Sequence, residues 1–367
     1  MAQRFLIWII FVTTVFVSGW PGALLAADVV PDARREELRD KIRDCLAHYY
    51  RRPEDAARRT PWGLMHWALA YGVDAEVTVR GHRRNAIGWL CWNGSCRGRR
   101  LLRLYEGRLE VKLGTGLQGH RGQFLAMLAQ CRVRPEYTLK VNDHEFTVAD
   151  VIEFEKQECV RGNDLSFKLL GLSHYLDSES TWEAKDGKSW SILRLIEEEL
   201  AQPVVYDSAC GGTHRLMGLS YAVRRRSAQG HPFKGNWQSA QTYVRDFQEY
   251  AFEFQNPDGS FSTNWFQARG AEQNISRRMQ TTGHILEWLI FSLPPEALSQ
   301  PRMTRSVEYL TKLLLDNRNE QWEIGPKGHT LHALAIYDEK VFGSTPGNRG
   351  NMFARGIRTS SKAHFPQ

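Results

Sequence analysis

The sequence predicts an all-α protein, an α/α toroid in which about six helix pairs form an outer and an inner ring. Two observations lead to this prediction. Six apolar helical segments recur along the 367 residues, and five of them carry a histidine at the same position. Amphipathic, more charged segments alternate with them. Outer helices of a double ring show one face to water, whereas inner helices are covered and face a central hole.

The repeat is defined by one anchor position in each apolar segment. The six anchors are His66, His120, Phe167, His214, His284 and His329. Glycine lies within four residues before every anchor except the third, and would let crowded helix ends approach one another. The inner helices should run parallel, with their N-termini around a common mouth. They are expected to contain residues 62–71, 118–130, 165–176, 212–224, 282–292 and 328–337.

The half-polar segments between the anchors predict the outer helices. They span residues 33–50, 148–158, 191–201, 237–254 and 303–317. The second repeat is an exception, because residues 88–114 are expected to be partly strand and hairpin. Residues 137–148 predict another hairpin, with Asn142-Asp143 as its turn.

The N-terminus is expected to direct export. Arg4, an apolar run over 5–17 and small residues before Asp28 are typical of a secretory signal. The predicted organisation is therefore a signal over 1–27, a toroid domain over 28–342 and a disordered tail over 343–367, which is rich in Gly, Ser, Arg and Pro. The alternative is an uncleaved membrane anchor, since residues 5–27 just span a bilayer. The protein is thus predicted to be periplasmic, extracellular or anchored to a membrane.

The overall charge does not predict a nucleic-acid partner. Its formal net charge of +7 is mild for this length. Basic runs at 80–84, 97–100 and 224–226 favour a solvated basic face; a patch for an acidic polymer or a membrane surface is the alternative.

The cysteines permit disulfides in an exported chain. They stand at positions 45, 91, 96, 131, 159 and 210. Cys91 and Cys96 bracket a turn-like WNGS and are the favoured local pair. The absence of any CxxC motif gives no support to a zinc ribbon or a thioredoxin-like site.

One stretch carries a family resemblance. QNPDGSFSTNW (255–265) resembles the repeat motif of squalene and terpenoid cyclases and of protein prenyltransferases, in which such a turn links an outer helix to the next inner one. The resemblance implies an α/α toroid over about residues 30–340. Asp258 and Gly259 should form a tight turn, and Phe261 should wedge between neighbouring helices.

The activity of that superfamily does not follow from the resemblance. The acidic DxDD and DDxxD motifs of its cyclases are absent. Prenyltransferases bind zinc through an aspartate, a cysteine and a histidine; Asp207, Cys210 and His214 resemble that set, but with a different spacing. The fold is therefore carried over without the chemistry.

The predicted mouth of the ring is the candidate site. Histidines at helix N-termini tend to stay neutral and are fit to act as bases or metal ligands. Three residues after their anchors stand Gln123, Glu287 and His332, so one arc of the ring should be polar. The candidate catalytic residues are His284, Glu287, His120, His214, His329, His332 and Tyr221. The candidate ligands for a divalent metal such as zinc are Cys210, His284 and His329.

The predicted function is an exported enzyme or enzyme-like binder of a small anionic or polyhydroxy ligand, a carbohydrate among the candidates. Acid–base catalysis needs no more than such histidines and a carboxylate in a concave site. The alternative from another class is a non-catalytic scaffold that binds a protein partner. Structural explanations also stay open: each histidine could cap a buried helix, and Glu287 could pair with Arg277 or Arg278.

Overall fold

A computed structural model describes residues 32–203 and 208–355, and this part of the chain is mostly helical with small two-stranded sheets. The predicted signal and Asp207 lie outside the described residues, as do residues 356–367. None of the helices in the described ranges combines the length and the apolar character needed to cross a bilayer.

The helices fall close to the predicted segments. They are α1 (Asp32–Tyr50), α2 (Pro61–Tyr71), α3 (Ala86–Cys91), α4 (Gln123–Gln130), α5 (Val148–Gln157), α6 (Ser166–Tyr175), α7 (Ile192–Ala201), α8 (Thr213–Ala228), α9 (Asn236–Glu253), α10 (Ile275–Ser292), α11 (Pro301–Asp316), α12 (Ile324–Phe342) and α13 (Arg349–Arg355). Short 3-10 helices occupy Gly72–Asp74 and Pro295–Ser299.

Four antiparallel hairpins lie between the helices. Their strands are β1 (Glu76–Val79), β2 (His82–Asn85), β3 (Leu102–Tyr105), β4 (Arg108–Val111), β5 (Thr138–Val141), β6 (His144–Thr147), β7 (Thr181–Glu183) and β8 (Ser189–Ser191). The strand content predicted within 88–114 is confirmed by β3 and β4, and the hairpin predicted at 137–148 by β5 and β6. Asn142 has a φ of 54°, a left-handed conformation that asparagine tolerates well in a tight turn.

The six even-numbered helices, α2 to α12, are the apolar segments of the repeat. In chain order each packs against the next, and α12 also packs against α2. The more polar helices α5, α7, α9 and α11 lie against them, and α1 packs on α12. The anchors are thereby brought together on helices that are neighbours in space. The prediction that they stand at helix starts is wrong for His284, because α10 begins nine residues earlier, at Ile275.

Local sequence explains where these helices begin. The Thr60 hydroxyl accepts a hydrogen bond from the Gly63 amide at 3.3 Å, and Pro61 occupies the first turn of α2, where its missing N–H costs nothing. The Asn274 side chain caps α10 in the same way. Thr147 and Asp150 form a reciprocal capping box at the start of α5.

Glycines before the anchors permit close contacts between inner helices. A Cβ added to Gly328 would lie 2.5 Å from the His66 carbonyl oxygen, and one added to Gly218 would lie 2.6 Å from the Ser166 carbonyl oxygen. Both distances are well inside van der Waals contact, so a side chain there would push the helices apart. The predicted role of a glycine before the anchor is confirmed at Gly328, whereas Gly218 follows its anchor, His214, and permits a further close crossing.

We expect Gly328→Ala to destabilise the protein by about 1–3 kcal/mol, because overpacking of this size costs that much in well-packed cores. Gly63→Ala is the matched control. Its added Cβ would meet nothing closer than 3.5 Å, so its unfolding free energy should stay unchanged or rise slightly. Urea unfolding of both variants measures the difference; equal stabilities would show that α2 and α12 do not depend on this glycine.

The stretch 255–261 forms the compact turn expected of it. The Asp258 carboxylate accepts from the Ser260 amide at 3.0 Å, and Gly259 has a φ of 92° that favours glycine. The Gln255 side chain donates to the Arg302 carbonyl of α11 at 2.8 Å. Phe261 is fully buried. The turn therefore ties the end of α9 to α11 and α10.

Two expectations are wrong in the described residues. The disulfide expected between Cys91 and Cys96 is absent, and all six cysteines are free thiols. The Cys96 thiol instead donates to the Gly94 carbonyl within the turn. The tail is not disordered from residue 343 onward, because α13 forms there and Phe353 is buried against Tyr50. Arg349, which is also buried, donates to the Ala335 carbonyl and pairs with Glu339, so polar and apolar contacts together dock the segment.

Candidate functional site

A small cavity lies between the even-numbered helices, at the level of the anchor residues. The imidazoles of His66, His214, His284 and His329 line it together with the Glu287 carboxylate. The ring centroids of His284 and His329 are 4.0 Å apart, and those of His214 and His329 are 5.6 Å apart. The cavity volume is about 30 Å³, enough for one or two waters or an ion but too small for a sugar ring. We call this space the central cavity.

The helical register predicted from the repeat recurs in the lining of the central cavity. The residues three positions after an anchor that line it are Leu69, Gln123, Leu170, Met217 and Glu287. The sixth such residue, His332, lies behind Glu287. Glu287 is the one carboxylate among the residues lining this cavity.

Glu287 is held between two histidines. It accepts hydrogen bonds from Nδ1 of His329 at 2.7 Å and from Nδ1 of His332 at 2.5 Å. Burial works to raise the pKa of Glu287, but the charge of His329 and the bonds from both histidines hold that pKa below its usual range. The alternative pairings do not form, because Arg278 binds Asp258 and Arg277 donates to the Thr263 carbonyl.

His66 and His284 are fixed in one tautomer by their own helices. Nδ1 of His66 donates to the Trp62 carbonyl at 2.8 Å, and Nδ1 of His284 donates to the Gln280 carbonyl at 2.7 Å. A carbonyl only accepts, so each Nδ1 carries the proton and each Nε2 keeps its lone pair. Burial lowers the pKa of His66 to about 3 and the pKa of His284 well below its usual value. Both imidazoles are therefore neutral at physiological pH.

His214 differs from its neighbours because neither of its buried ring nitrogens makes a well-formed hydrogen bond among the described residues, although the Cys210 thiol makes a polar contact with its ring. Buried polar atoms without a partner are uncommon in native proteins and call for an explanation. One nitrogen each from His214, His284 and His329 can be chosen so that all three lie within 4.8 Å of one another. Cys210, an expected metal ligand, does not belong to this cluster.

A second, larger space adjoins His214. It has a volume of about 320 Å³, and we call it the vestibule. Its titratable lining residues are His120, Asp164, Glu199, Cys210, His214 and Arg215. His214 thus borders both the vestibule and the central cavity. The vestibule has the size of a small-molecule site.

His120 lies in the vestibule rather than in the central cavity. The fourth helix begins at Gln123 and not near 118 as predicted, because Gly122 takes a left-handed φ of 83° and precedes it. Nδ1 of His120 binds the Asp164 carboxylate at 2.6 Å, and this bond raises the pKa of His120. The ring centroids of His120 and His214 are 5.8 Å apart, so His120 still belongs to the same cluster.

Cys210 lies three residues before the first residue of α8, Thr213, on the vestibule wall. Burial acts to raise its pKa. The charge of His214, followed by polar contacts with His214 and Ser208, outweighs burial and lowers the pKa to about 5. A thiol in such surroundings is ionised at neutral pH and reactive.

We expect iodoacetamide to alkylate Cys210 first in the native protein at pH 6 with a chelator present. The other five thiols are buried, whereas Cys210 is partly exposed. Peptide mass spectrometry measures the label, and Cys210→Ser should remove it. Labelling spread evenly over the six cysteines before unfolding would contradict the assignment.

Of the remaining candidates, Tyr221 does not reach the central cavity. It stacks on Phe291 with 4.1 Å between ring centroids and lies 6.1 Å from His174. Sequence reasoning did not select Asp164 or assign a site role to His66. Asp164 could have been selected from the sequence, because it stands three residues before the anchor Phe167 and so near the predicted mouth of the ring.

Comparison with known proteins gives no relative: no family model, no curated protein and no solved structure matches the chain.

Proposed function

We propose that the protein is an α/α toroid, the fold that the stretch 255–265 implies by its resemblance to terpenoid cyclases and prenyltransferases. Two features support this proposal. The even-numbered helices contact one another in chain order, with α12 against α2, and the more polar helices lie against them. The anchor residues of those helices face shared spaces.

Within this fold, we propose that the chain is an exported enzyme or enzyme-like binder of a small anionic or polyhydroxy ligand. The observation that carries the proposal is the convergence of four imidazoles and Glu287 on one cavity next to a ligand-sized vestibule. In this proposal the body of the ligand occupies the vestibule, because the central cavity has room for a single polar group only. His214 borders both.

The hydrogen-bond pattern supports ligand binding over a purely structural role. Neutral His284 offers an Nε2 lone pair, while the Glu287 carboxylate accepts from Nδ1–H of His329 and fixes its ring. The protonated form of His120, favoured by Asp164, would add a positive charge beside the vestibule for an anionic group. A histidine that only caps a helix acts through its hydrogen bonds, so a purely structural role does not explain ring nitrogens that lack well-formed hydrogen bonds.

A thermal-shift series tests the proposal. The probes are phosphate, citrate, glucuronate and cellobiose, each added to metal-free protein. We expect at least one anionic probe to raise the melting temperature of the wild type and of His144→Ala, whose histidine lies on an exposed hairpin. His284→Ala should remove this shift. If no probe stabilises the wild type, or if His284→Ala responds equally, the cavity does not bind this class of ligand.

A second candidate function is binding of an acidic polysaccharide in a groove of about 950 Å³ beside the first hairpin. Two kinds of lining residue favour this function. The basic residues are Arg80, His82, Arg84, Arg97 and Arg100, and the aromatic residues are Trp89, Trp92 and Tyr137. No residue lining this groove is acidic. Cations and aromatic faces together suit a polymer that is both anionic and polyhydroxy.

Binding of polygalacturonate at two salt concentrations tests this second function. We expect Arg84→Ala combined with Arg97→Ala to weaken binding and to reduce its salt dependence. Arg245→Ala is the control, because that arginine is exposed on α9, away from the groove. Binding that is unchanged in the double variant would reject the groove as the polysaccharide site.

A further inference from the structure

The strongest unexplained feature of the site is the set of nitrogen lone pairs in the central cavity. Nδ1 of His284 is bound to a carbonyl and Nδ1 of His329 to a carboxylate, which leaves Nε2 of each ring without an assigned partner. Neither nitrogen of His214 makes a well-formed hydrogen bond. Buried imidazole nitrogens that converge without donors between them are costly, unless an electron-poor species occupies the space.

We propose that His214, His284 and His329 bind one divalent transition metal ion, with zinc as the best match, in the central cavity. Three histidines with a further position left open form the ligand set of catalytic zinc sites. The cavity volume of about 30 Å³ accepts an ion with one water. Imidazole ligands also exclude magnesium and calcium, which prefer oxygen.

The geometry requires only small side-chain movements. The three ligand atoms already lie within 4.8 Å of one another. Zn–N bonds of about 2.0 Å in a tetrahedron place the nitrogens about 3.3 Å apart, so each ring must move by about an ångström or less. The rings stand on three consecutive inner helices, α8, α10 and α12, which hold them in place.

The surroundings of the three ligands provide the expected outer hydrogen bonds. Metal-bound histidines usually donate their other N–H to a carboxylate or a carbonyl, which fixes the ring and raises its basicity. Glu287 does this for His329 and the Gln280 carbonyl does it for His284. Glu287 is therefore a positioning residue, and His332 in turn holds Glu287.

His66 is the nearest competitor for the site and does not belong to the ligand cluster. Its ring centroid lies 5.3 Å from that of His329, and its ring packs on Trp62 with centroids 4.2 Å apart. Cys210 is also outside the cluster. The open position would then be left to water or to an anionic group of a ligand that enters past His214 from the vestibule.

This inference deepens the proposed function and rests on the same cavity, but its test needs no organic ligand. The chelator-treated protein is titrated with Co²⁺ and then Zn²⁺, and the bound metal is read from cobalt absorption and from elemental analysis. We expect one equivalent of tetrahedral or five-coordinate cobalt, displaced by zinc, without a thiolate-to-cobalt band.

Substitutions assign the ligands. We expect His284→Ala and His329→Ala to lose the stoichiometric ion, and Glu287→Gln to weaken zinc binding about 10–100-fold while keeping one equivalent. His144→Ala should bind like the wild type. Zinc should also protect the wild type from histidine modification by diethyl pyrocarbonate, which needs no variant to fold.

Three results would overturn the metal site: absence of stoichiometric metal in the wild type, an unchanged ion in folded His284→Ala, or a cobalt–thiolate band that moves the ligand set to Cys210. If metal does not bind but an anionic probe still stabilises the metal-free protein, the metal inference fails while the proposed function stands.

Discussion

Glu155→Ala is expected to destabilise the protein by about 3–5 kcal/mol, because it leaves a buried ammonium group without its counter-ion. The side chains of Lys168 on α6 and Glu155 on α5 are 0% and 1% exposed. Nζ of Lys168 donates to both the carboxylate and the backbone carbonyl of Glu155. Removing one partner of such a pair costs far more than the pair contributes, and the loss is a large part of the ~5–15 kcal/mol that holds a domain together.

Urea unfolding with two companion variants isolates this effect. Glu145→Ala removes the partner of Lys140 in an exposed hairpin pair and should change the unfolding free energy by less than about 0.5 kcal/mol. Glu155→Ala combined with Lys168→Met should recover much of the lost stability, because no charge remains buried. A loss below about 1 kcal/mol in Glu155→Ala would show that Lys168 reaches water.

Glu287→Gln should abolish the ligand response of the central cavity while the melting temperature changes by only a few degrees. The carboxylate accepts from Nδ1 of both His329 and His332. Glutamine has nearly the same shape, but its amide group turns a donor toward one of these two donors. One ring must therefore rotate, and the lone pair aimed into the cavity is lost.

Thermal shift with the probe that stabilises the wild type measures the effect, with Glu145→Gln as the exposed control. A functional carboxylate predicts a lost response at nearly constant stability. The opposite outcome, in which Glu287→Gln unfolds the protein by several kcal/mol and probes never shift any variant, would make the histidines structural.

Sequence periodicity was sufficient for the helices and for much of the site. The anchor register placed His214, His284 and His329 around one cavity, with Glu287 one turn below, because equal register on neighbouring helices gives equal depth. Glycine beside the anchors had a physical reason that the structure confirms at Gly328. These features depend on residues that are close in sequence or that recur with the helical period, and such patterns can be recognised without the tertiary structure.

The parts that could not be predicted depend on contacts between distant segments. His120 was expected in the central cavity, but a left-handed Gly122 delays α4 and leaves His120 bound to Asp164. The expected Cys91–Cys96 bond failed because sequence spacing does not fix where two thiols point. The two hydrogen bonds that His329 and His332 donate to Glu287 also required the structure, since arginines were nearer in sequence.

In the proposed site, imidazole rings with free Nε2 atoms converge on one bound metal ion. Long-range ¹⁵N–¹H spectra of histidine-labelled protein, recorded before and after one equivalent of Zn²⁺, test this most directly. We predict that His66 and His284 show the Nδ1–H tautomer at neutral pH, and that zinc moves the signals of His214, His284 and His329 together while His144 stays in place. The proposed site would be contradicted if zinc left the signals of His214, His284 and His329 unaffected and if His66 and His284 did not show the tautomer that donates to the Trp62 and Gln280 carbonyls.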